Sequence, residues 1–383
     1  MNEESIPVTT LFMREVQEDL INNFHPRMEE LMIKIEESKD NIRECLLQDK
    51  HIYEYKGEAS EEEVLGVDAA TAFCDYGEIS TALATGVVSS TSENVKPVYK
   101  YKAVYGTSSE TFSRATNYLR CWSELAALKY ATEQDNWVLY DGSFTSLNFE
   151  MAKWASVMPK EGDISRDFVE SELLTDLFVK SIKSEYSDWF TVFGDRKLNK
   201  VISVGKRGIS KYYSTNVIKD FEMEDTAFLP SDKFILGTVL QANEYTKPLS
   251  YEQVFVKSHG SGTPWWYGHP GLKSEDRFNS MQNDVETTYK SLRILHFKPW
   301  PWSPILKIEY NEKLCKLNDV LAIIKGQTKT RSILEPMALY LADLLAKQTQ
   351  SVMNFYGDIN TRRYPKLFSA YLTSKRCENE RNC

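Results

Sequence analysis

The stretch "WVLYDGSF", residues 137–144, begins like a buried strand and ends in a charged residue. Four apolar residues, Trp137 to Tyr140, precede the carboxylate of Asp141 and the small residues Gly142 and Ser143. A short continuous apolar run of this kind is typical of a strand that is buried on both faces. Because aspartate often opens a turn through hydrogen bonds to the backbone, this one carboxylate does not by itself indicate a site.

A second stretch has the same pattern. In "EVLGVDAATAF", residues 63–73, an apolar run leads to Asp68, and two alanines follow. Small residues let a ligand approach the backbone, so two strands that end in this way indicate a shared site. Carboxylates that face each other repel unless a cation lies between them, and Mg²⁺ and Mn²⁺ prefer such oxygen ligands. The pair therefore predicts a metal site, and two ions held there could activate water for phosphodiester hydrolysis.

The segment between the two strands has helical spacing. In "TFSRATNYLRCWSELAALKYATEQD", residues 111–135, Leu119, Trp122 and Leu125 recur at three-residue intervals and predict a helix that leads into the strand at 137. Glu124 lies on this helix, 17 residues before Asp141. A helical glutamate is usually a solvated surface residue, but in this arrangement Glu124 becomes a further candidate ligand.

Four motifs together carry a resemblance: VDAAT at 67–71, SELAALKYA at 123–131, VLYDGSF at 138–144 and EPMALYLADLLAK at 335–347. Over roughly residues 60 to 350 the chain resembles the NurA family of archaeal and bacterial DNA-end-processing nucleases. The resemblance implies an α/β protein with a ribonuclease-H-like mixed β-sheet flanked by helices. It also implies an exo- and endonuclease that uses Mn²⁺ or Mg²⁺, with two ions bound, a homodimer, and a HerA-type hexameric ATPase as partner.

The resemblance assigns catalytic and metal-binding roles to Asp68, Glu124 and Asp141. In the last motif, family members have a tyrosine and, eight positions later, a histidine, where this chain has Glu335 and Asp343. Aspartate is a sound ligand for a hard ion, so we take Asp343 as the fourth catalytic ligand and Glu335 as a weaker candidate. A role that needs a neutral imidazole is in doubt, and another alignment or an inactive site stays open.

A basic segment, "DRKLNKVISVGKRGISK" at 195–211, holds six lysines and arginines against one acidic residue. VISV predicts a strand and GKRG its turn. A basic cluster is usually a solvated surface, but beside a carboxylate site it offers what a phosphate backbone requires. We predict DNA contacts from Arg196, Lys197, Lys206 and Arg207. Lys206 is preferred because the NurA family often carries a lysine after this strand.

The net charge of −9 is concentrated near the N-terminus. Residues 1–65 hold 17 acidic and 7 basic side chains, and the remainder holds 38 and 39, so the overall acidity does not exclude a nucleic-acid partner. Apolar residues from Leu11 to Leu46 recur every three or four positions and predict an amphipathic helix or helix pair that Pro26 breaks or kinks. Its apolar face could pack on its own domain or form a dimer or partner interface.

These patterns predict three parts: an N-terminal helical arm at 1–58, a nuclease domain at 59–350 with a helical insertion near 160–190, and a C-terminal helical tail at 351–383. No apolar run approaches the length of a membrane span and no signal-peptide pattern begins the chain, so we expect a cytoplasmic protein. Six scattered cysteines without a CxxC pair predict reduced thiols. Trp-rich stretches at 260–271 and 296–310 could cover the core, stack on bases or anchor a partner.

The hypothesis from the sequence is a metal-dependent DNA nuclease that acts at DNA ends with a HerA-type ATPase, in end resection, repair or antiviral defence. A rival is a non-catalytic assembly or regulatory subunit of a DNA-translocating ATPase, which the replaced histidine and the long N-terminal helices favour. Actin-like sugar kinases also place aspartates at strand ends, but VDAAT lacks the glycines of their phosphate-binding loops.

Overall fold

The computed structural model describes residues 16–76, 79–92, 95–107, 110–144, 146–147, 188–205, 212–217, 231–254 and 284–364. The strands are β1 Ile52–Glu54, β2 Val64–Tyr76, β3 Ile79–Ser90, β4 Val98–Thr107, β5 Trp137–Asp141, β6 Val201–Gly205, β7 Glu244–Thr246, β8 Leu249–Ser250, β9 Leu292–Lys298 and β10 Leu306–Asn311. The α-helices are α1 His25–Gln48, α2 Glu110–Thr132, α3 Tyr212–Asn216, α4 Asp232–Val239, α5 Leu317–Gln327 and α6 Met337–Arg363, and π-helical turns cover Leu20–Phe24 and Thr191–Asp195.

Within the described residues, ten strands form one mixed sheet in the order β1-β7-β9-β10-β6-β5-β2-β3-β4, with β8 paired to β9. Strands β2, β3 and β4 form an antiparallel meander, and β5 and β6 are added parallel to β2. Helix α2 connects the meander to β5, because a parallel neighbour requires a crossover. This five-strand core is the predicted ribonuclease-H-like arrangement, and the α/β fold class is confirmed. Antiparallel strands β10, β9, β7 and β1 extend the sheet beyond β6.

Each face of the sheet is buried under its own helices. Successive side chains of a strand point to opposite faces, so Val138 and Tyr140 join the cluster that includes α2 residues, whereas Trp137 and Leu139 join the cluster that includes α5 and α6 residues. We call these the α2 face and the α6 face. Asp141 continues the alternation and projects on the α6 face.

Gly66 lets α6 lie directly on the sheet. A Cβ at this position would overlap with the carbonyl oxygen of Ala338 in the first turn of α6. The Ser89 hydroxyl, on the neighbouring strand β3, donates to the same carbonyl oxygen at 3.0 Å. Gly66 lies two residues before Asp68 and on the same face of the sheet. The start of α6 therefore lies close to Asp68.

The predicted N-terminal helix is present and does not end at Pro26. The described chain is helical from 16 to 48, with the π-helical turn Leu20–Phe24 just before the proline. There the His25 N–H donates to the carbonyl oxygen of Leu20, five residues earlier, which is the π-helical hydrogen-bond spacing. The next residue, Pro26, has no N–H to donate.

The last turns of α1 pack on the core. Ile42 and Leu46 are buried, and the Arg43 guanidinium donates to both carboxylate oxygens of Glu244, at 2.8 and 2.5 Å. Farther toward the N-terminus, apolar residues such as Ile21 and Ile33 are exposed. The helix thus packs on its own domain at one end and leaves an apolar surface at the other. The three-part division of the chain stays a prediction, although β1 joins the sheet and α6 runs through residue 350.

The described tryptophans of the 296–310 stretch cover the end of α5. The rings of Trp300 and Trp302 stack at 5.2 Å, and Trp300 Nε1 donates to the Lys325 carbonyl oxygen at 3.2 Å. The stretch 260–271 and the insertion at 160–187 lie outside the described residues. Within the described chain, the cysteines form no disulfide with one another, and no helix is both long and apolar enough to cross a bilayer.

Candidate active site

Asp68 and Asp141 lie side by side on neighbouring parallel strands. The register of β2 and β5 pairs Val67 with Tyr140, so the next residues of the two strands are Asp68 and Asp141. Adjacent strands are about 4.8 Å apart, and residues at one level of a parallel pair project to the same face. Both side chains therefore project on the α6 face, and both are partly exposed. The two carboxylates that the sequence predicted to meet are neighbours in the fold, but only Asp141 ends its strand. The expectation that a strand ends at Asp68 was wrong, because β2 continues to Tyr76 in its pairing with β3.

A cavity opens beside strand β6, the neighbour of the strand that carries Asp141. Asp141 pairs in register with Val204 of β6, and Val204 lines a cavity of about 460 Å³ between β6, the start of β10 and the segment that leads into α6. Lys233, Glu335 and Tyr340 also line it. The structure thus brings Glu335 to the same region as Asp141, and it adds Tyr340 and Lys233, which the sequence did not single out.

Asp343 lies on α6, and its carboxylate is engaged by a neighbour on the helix. Lys347 Nζ donates to Asp343 Oδ2 at 2.6 Å, an ion pair with the i, i+4 spacing of a helix. Asp343 follows Ala338, the residue that contacts Gly66, by five positions, or about 7.5 Å along the helix axis.

Glu124 is buried on the α2 face at the end of β5. Its side chain is held by two donors, the Tyr140 hydroxyl at 2.6 Å to Oε1 and Arg120 Nη1 at 2.9 Å to Oε2. Only 4% of the residue is exposed. Burial raises the pKa of Glu124, the Arg120 charge and the Tyr140 hydrogen bond oppose that rise, and the charge of Asp141 adds to it. Glu124 and Asp141 therefore interact electrostatically from opposite faces of the sheet.

Tyr140 also explains the glycine after Asp141. Burial raises the pKa of the Tyr140 phenol well above its usual range, and Glu124 raises it further, so the hydroxyl keeps its proton and donates. A Cβ on Gly142 would lie 2.8 Å from the Tyr140 oxygen. The small residue that suggested an approaching ligand thus also makes room for Tyr140. Because side chains alternate between the two faces along β5, the sequence alone could have indicated that Tyr140 faces the helix that carries Glu124.

Glu309 of β10 turns inward to the segment that follows Asp141. It is 1% exposed and accepts hydrogen bonds from the Ser143 hydroxyl, from the Phe144 N–H and from Lys307. Burial and the charges of Lys307 and Lys233 lower the pKa of the nearby His296 to about 3, so this histidine is neutral. Because His296 carries no charge, the negative charge of Glu309 is balanced by Lys307, whose Nζ lies 2.7 Å from Glu309 Oε1.

The predicted DNA-binding residues are divided by β6. Arg196 and Lys197 precede the start of the strand at Val201, whereas Asp141 pairs with Val204 near its end, at least about 10 Å farther along. At that far end Lys200 forms an ion pair with Asp135. The structure does not bring Arg196 and Lys197 to the carboxylates. Lys206 and Arg207 follow Gly205 in sequence and lie outside the described residues.

The oxygen donors at this strand end suit a hard divalent ion, but they do not yet form a complete ligand set. Across the described ranges, no three His, Cys, Asp or Glu side chains are grouped closely enough to hold a metal ion. Asp68 and Asp141 are the pair that the fold brings together. Glu124 and Asp343 each bind a basic residue instead.

No family model and no curated protein matches the sequence. Among solved structures, the NurA nuclease from Sulfolobus solfataricus aligns at a TM-score of 0.54 and 11% identity, over 91% of this chain and 98% of that one. NurA with manganese aligns at 0.54 and 10%, over 85% and 93%, and NurA bound to dAMP and manganese aligns at 0.52 and 9%, over 84% and 92%. The chain therefore has the fold of the NurA nuclease structures.

Proposed function

We propose that this protein is a metal-dependent nuclease that hydrolyses phosphodiester bonds in DNA. The observation that carries the proposal is the register of Asp68 and Asp141, two partly exposed carboxylates at the same level of neighbouring parallel strands, next to strand β6, which lines an open cavity. The shared fold supports it, because solved NurA structures with this fold contain manganese and, in one case, dAMP.

In this proposal Asp68 and Asp141 hold the ion. The Ala69 N–H donates to Asp68 Oδ1 at 2.7 Å and so orients the carboxylate against its own backbone. When bound, Mg²⁺ or Mn²⁺ supplies Lewis-acid stabilisation of the phosphoryl oxygens and lowers the pKa of water. The phosphodiester is bound at the end of β5, where the carboxylates of Asp68 and Asp141 make the local charge negative.

Glu124 and Asp343 are proposed as further ligands, for a site that holds up to two ions. To serve, Glu124 must release both Arg120 and the Tyr140 hydroxyl and reach the end of β5 from the opposite face, and Asp343 must release Lys347. The Lys347 side chain is 69% exposed and can move into solvent at little cost, whereas Arg120 balances a buried carboxylate, so Glu124 can release it only when a metal ion takes its place. Glu335 lines the cavity and is the reserve ligand.

We propose DNA as the substrate, with DNA ends as the preferred form. Lys233 lines the cavity, its Nζ donates to the Gly205 carbonyl oxygen at 3.4 Å, and burial lowers its pKa. Lys206 and Arg207 are proposed to contact the phosphate backbone, and Arg196 and Lys197 to contact it away from the reacting bond. A homodimer, a HerA-type ATPase partner and a role in end resection, repair or defence belong to the same proposal.

The test is cleavage of labelled linear single- and double-stranded DNA by purified protein in Mn²⁺, Mg²⁺ or EDTA. Asp68→Asn and Asp141→Asn should each abolish a metal-dependent activity, because each removes a charged ligand of the ion. Asp135→Asn is the matched control, since this exposed aspartate lies just before the opposite end of β5. Metal-dependent cleavage that survives both site variants would show that the assignment is wrong.

One observation favours a second candidate, a non-catalytic subunit of a DNA-translocating ATPase: the described residues contain no three-ligand metal group. That function predicts a stable complex with a hexameric ATPase, and no metal-dependent cleavage either alone or in the complex. Cleavage by the isolated protein would exclude it.

A further inference from the structure

We propose that Glu309 is a positioning residue, whose carboxylate fixes the turn at residues 142–144 and thereby the orientation of Asp141. The functional part of this inference rests on the proposed nuclease, in which Asp141 is a ligand. The structural part, that Glu309 holds the turn, stands on its own contacts.

Glu309 reaches the turn from two strands away. In the sheet order, β6 lies between β10 and β5, and Glu309 pairs in register with Ser203 of β6. Its Oε1 accepts from the Ser143 hydroxyl at 2.6 Å, and its Oε2 accepts from the Phe144 N–H at 2.9 Å. One carboxylate therefore binds two consecutive residues of the turn, one through a side chain and one through the backbone.

Strand β6 holds the residue between Asp141 and this pair. The Ser203 hydroxyl donates to the Gly142 carbonyl oxygen at 2.7 Å, and the Gly142 N–H donates to the Val204 carbonyl oxygen at 3.3 Å. The chain directly after Asp141 is thus fastened at three successive residues. A ligand carboxylate must be held to within about 0.5 Å of its productive geometry, and such second-layer hydrogen bonds are how proteins achieve it.

The charge of Glu309 is balanced inside the protein. Lys307 Nζ lies 2.7 Å from Glu309 Oε1, and both side chains are almost fully buried. A buried ion pair is weak support for stability, because removing two charges from water offsets most of their attraction. What the pair provides is a directional acceptor at a defined place, which an apolar residue of the same size would not provide.

The direct test is Glu309→Gln, which puts an amide NH₂ where an acceptor oxygen was and removes the Lys307–Glu309 ion pair. We expect kcat for DNA cleavage to fall at least about tenfold with KM unchanged, and the Mn²⁺ dissociation constant to rise about tenfold. The Phe144 amide should exchange with solvent faster. Glu312→Gln is the control, because Glu312 follows the same strand and pairs with Arg293 at the surface.

Two further variants keep the test decisive if Glu309→Gln folds poorly. Glu309→Gln combined with Lys307→Met removes both charges and leaves no buried unpaired ion. Ser143→Ala removes one hydrogen bond of the turn and should reduce kcat less than the change at Glu309. Folded variants with wild-type kcat, Mn²⁺ affinity and Phe144 exchange would overturn the proposal.

The readouts separate the two levels of inference. A wild-type protein that cleaves no DNA would overturn the proposed function. The Phe144 exchange rate would still decide whether Glu309 holds the turn, because it needs neither metal nor substrate. Faster exchange in the variants supports the structural part, and unchanged exchange contradicts it.

Discussion

Tyr140 donates a 2.6 Å hydrogen bond to Glu124 on one face of the sheet, while the next residue, Asp141, projects on the other face. The end of β5 therefore lies between two carboxylates in different environments. Glu124 is buried on the α2 face, and Asp141 is partly exposed on the α6 face. Strand alternation is the physical reason, since consecutive side chains of β5 cannot share a face.

Tyr140→Phe should destabilise the protein by about 1–3 kcal/mol, because a buried carboxylate oxygen then loses its donor. The pKa of Glu124 should rise, since the Tyr140 hydrogen bond lowers it. Urea unfolding monitored by circular dichroism measures the loss. Tyr101→Phe is the control, because residue Tyr101 is 68% exposed. Equal effects of the two changes would contradict the role of the Tyr140 hydroxyl.

Glu124→Gln should change the dependence of stability on pH. The pKa of Glu124 is raised in the folded protein above its ordinary value of 4.5, so the folded state binds the proton more tightly than the unfolded state does. The contribution of this group to stability is complete below about pH 4.5 and is lost as pH rises through the folded-state pKa. The variant should therefore gain stability relative to the wild type across that interval. Unfolding free energies from pH 4 to 8 measure the difference, and a constant difference would refute the linkage.

Gly66→Ala should displace α6, because the new Cβ would overlap with the Ala338 carbonyl oxygen. Since backbone cannot rotate away as a side chain can, we expect a loss of about 1–3 kcal/mol and reduced nuclease activity. In Gly237→Ala the new Cβ would come no closer than 3.6 Å to Ile305, within helix α4, so this change should be neutral or stabilising. Thermal unfolding compares them, and equal melting temperatures would contradict the close approach of α6.

The two basic clusters should differ in DNA binding. Lys206→Ala with Arg207→Ala should weaken binding and reduce the slope of log K against log salt concentration by roughly two, if each residue contacts a phosphate. Arg196→Ala with Lys197→Ala should have a smaller effect, because these residues lie beyond the opposite end of β6 from Asp141. Fluorescence anisotropy over a series of KCl concentrations measures both slopes. Equal slopes for the two double variants would show that bound DNA does not contact the end of β6 near Asp141 in preference to the other end.

Local patterns were sufficient for the elements that carry the carboxylates. The apolar runs before Asp68 and Asp141 and the helical spacing around Glu124 reflect which side chains are buried. That pattern can be read from residues that are adjacent in the sequence. The resemblance to the NurA family then supplied the ribonuclease-H-like arrangement, which the sheet order confirms. The sequence by itself therefore determined which strands and which helix carry the candidate carboxylates, but it did not show that β2 continues past Asp68 to Tyr76.

Contacts across the sheet were decided only by the tertiary structure. Glu309 turns toward Ser143 because β10 pairs with β6 in one register, and a slip of one residue would send it to the other face. In the basic segment 195–211, strand β6 places Arg196 and Lys197 at the opposite end from Val204, the residue that pairs with Asp141. Register and strand length relate residues that are far apart in the chain, and no local pattern encodes those distances.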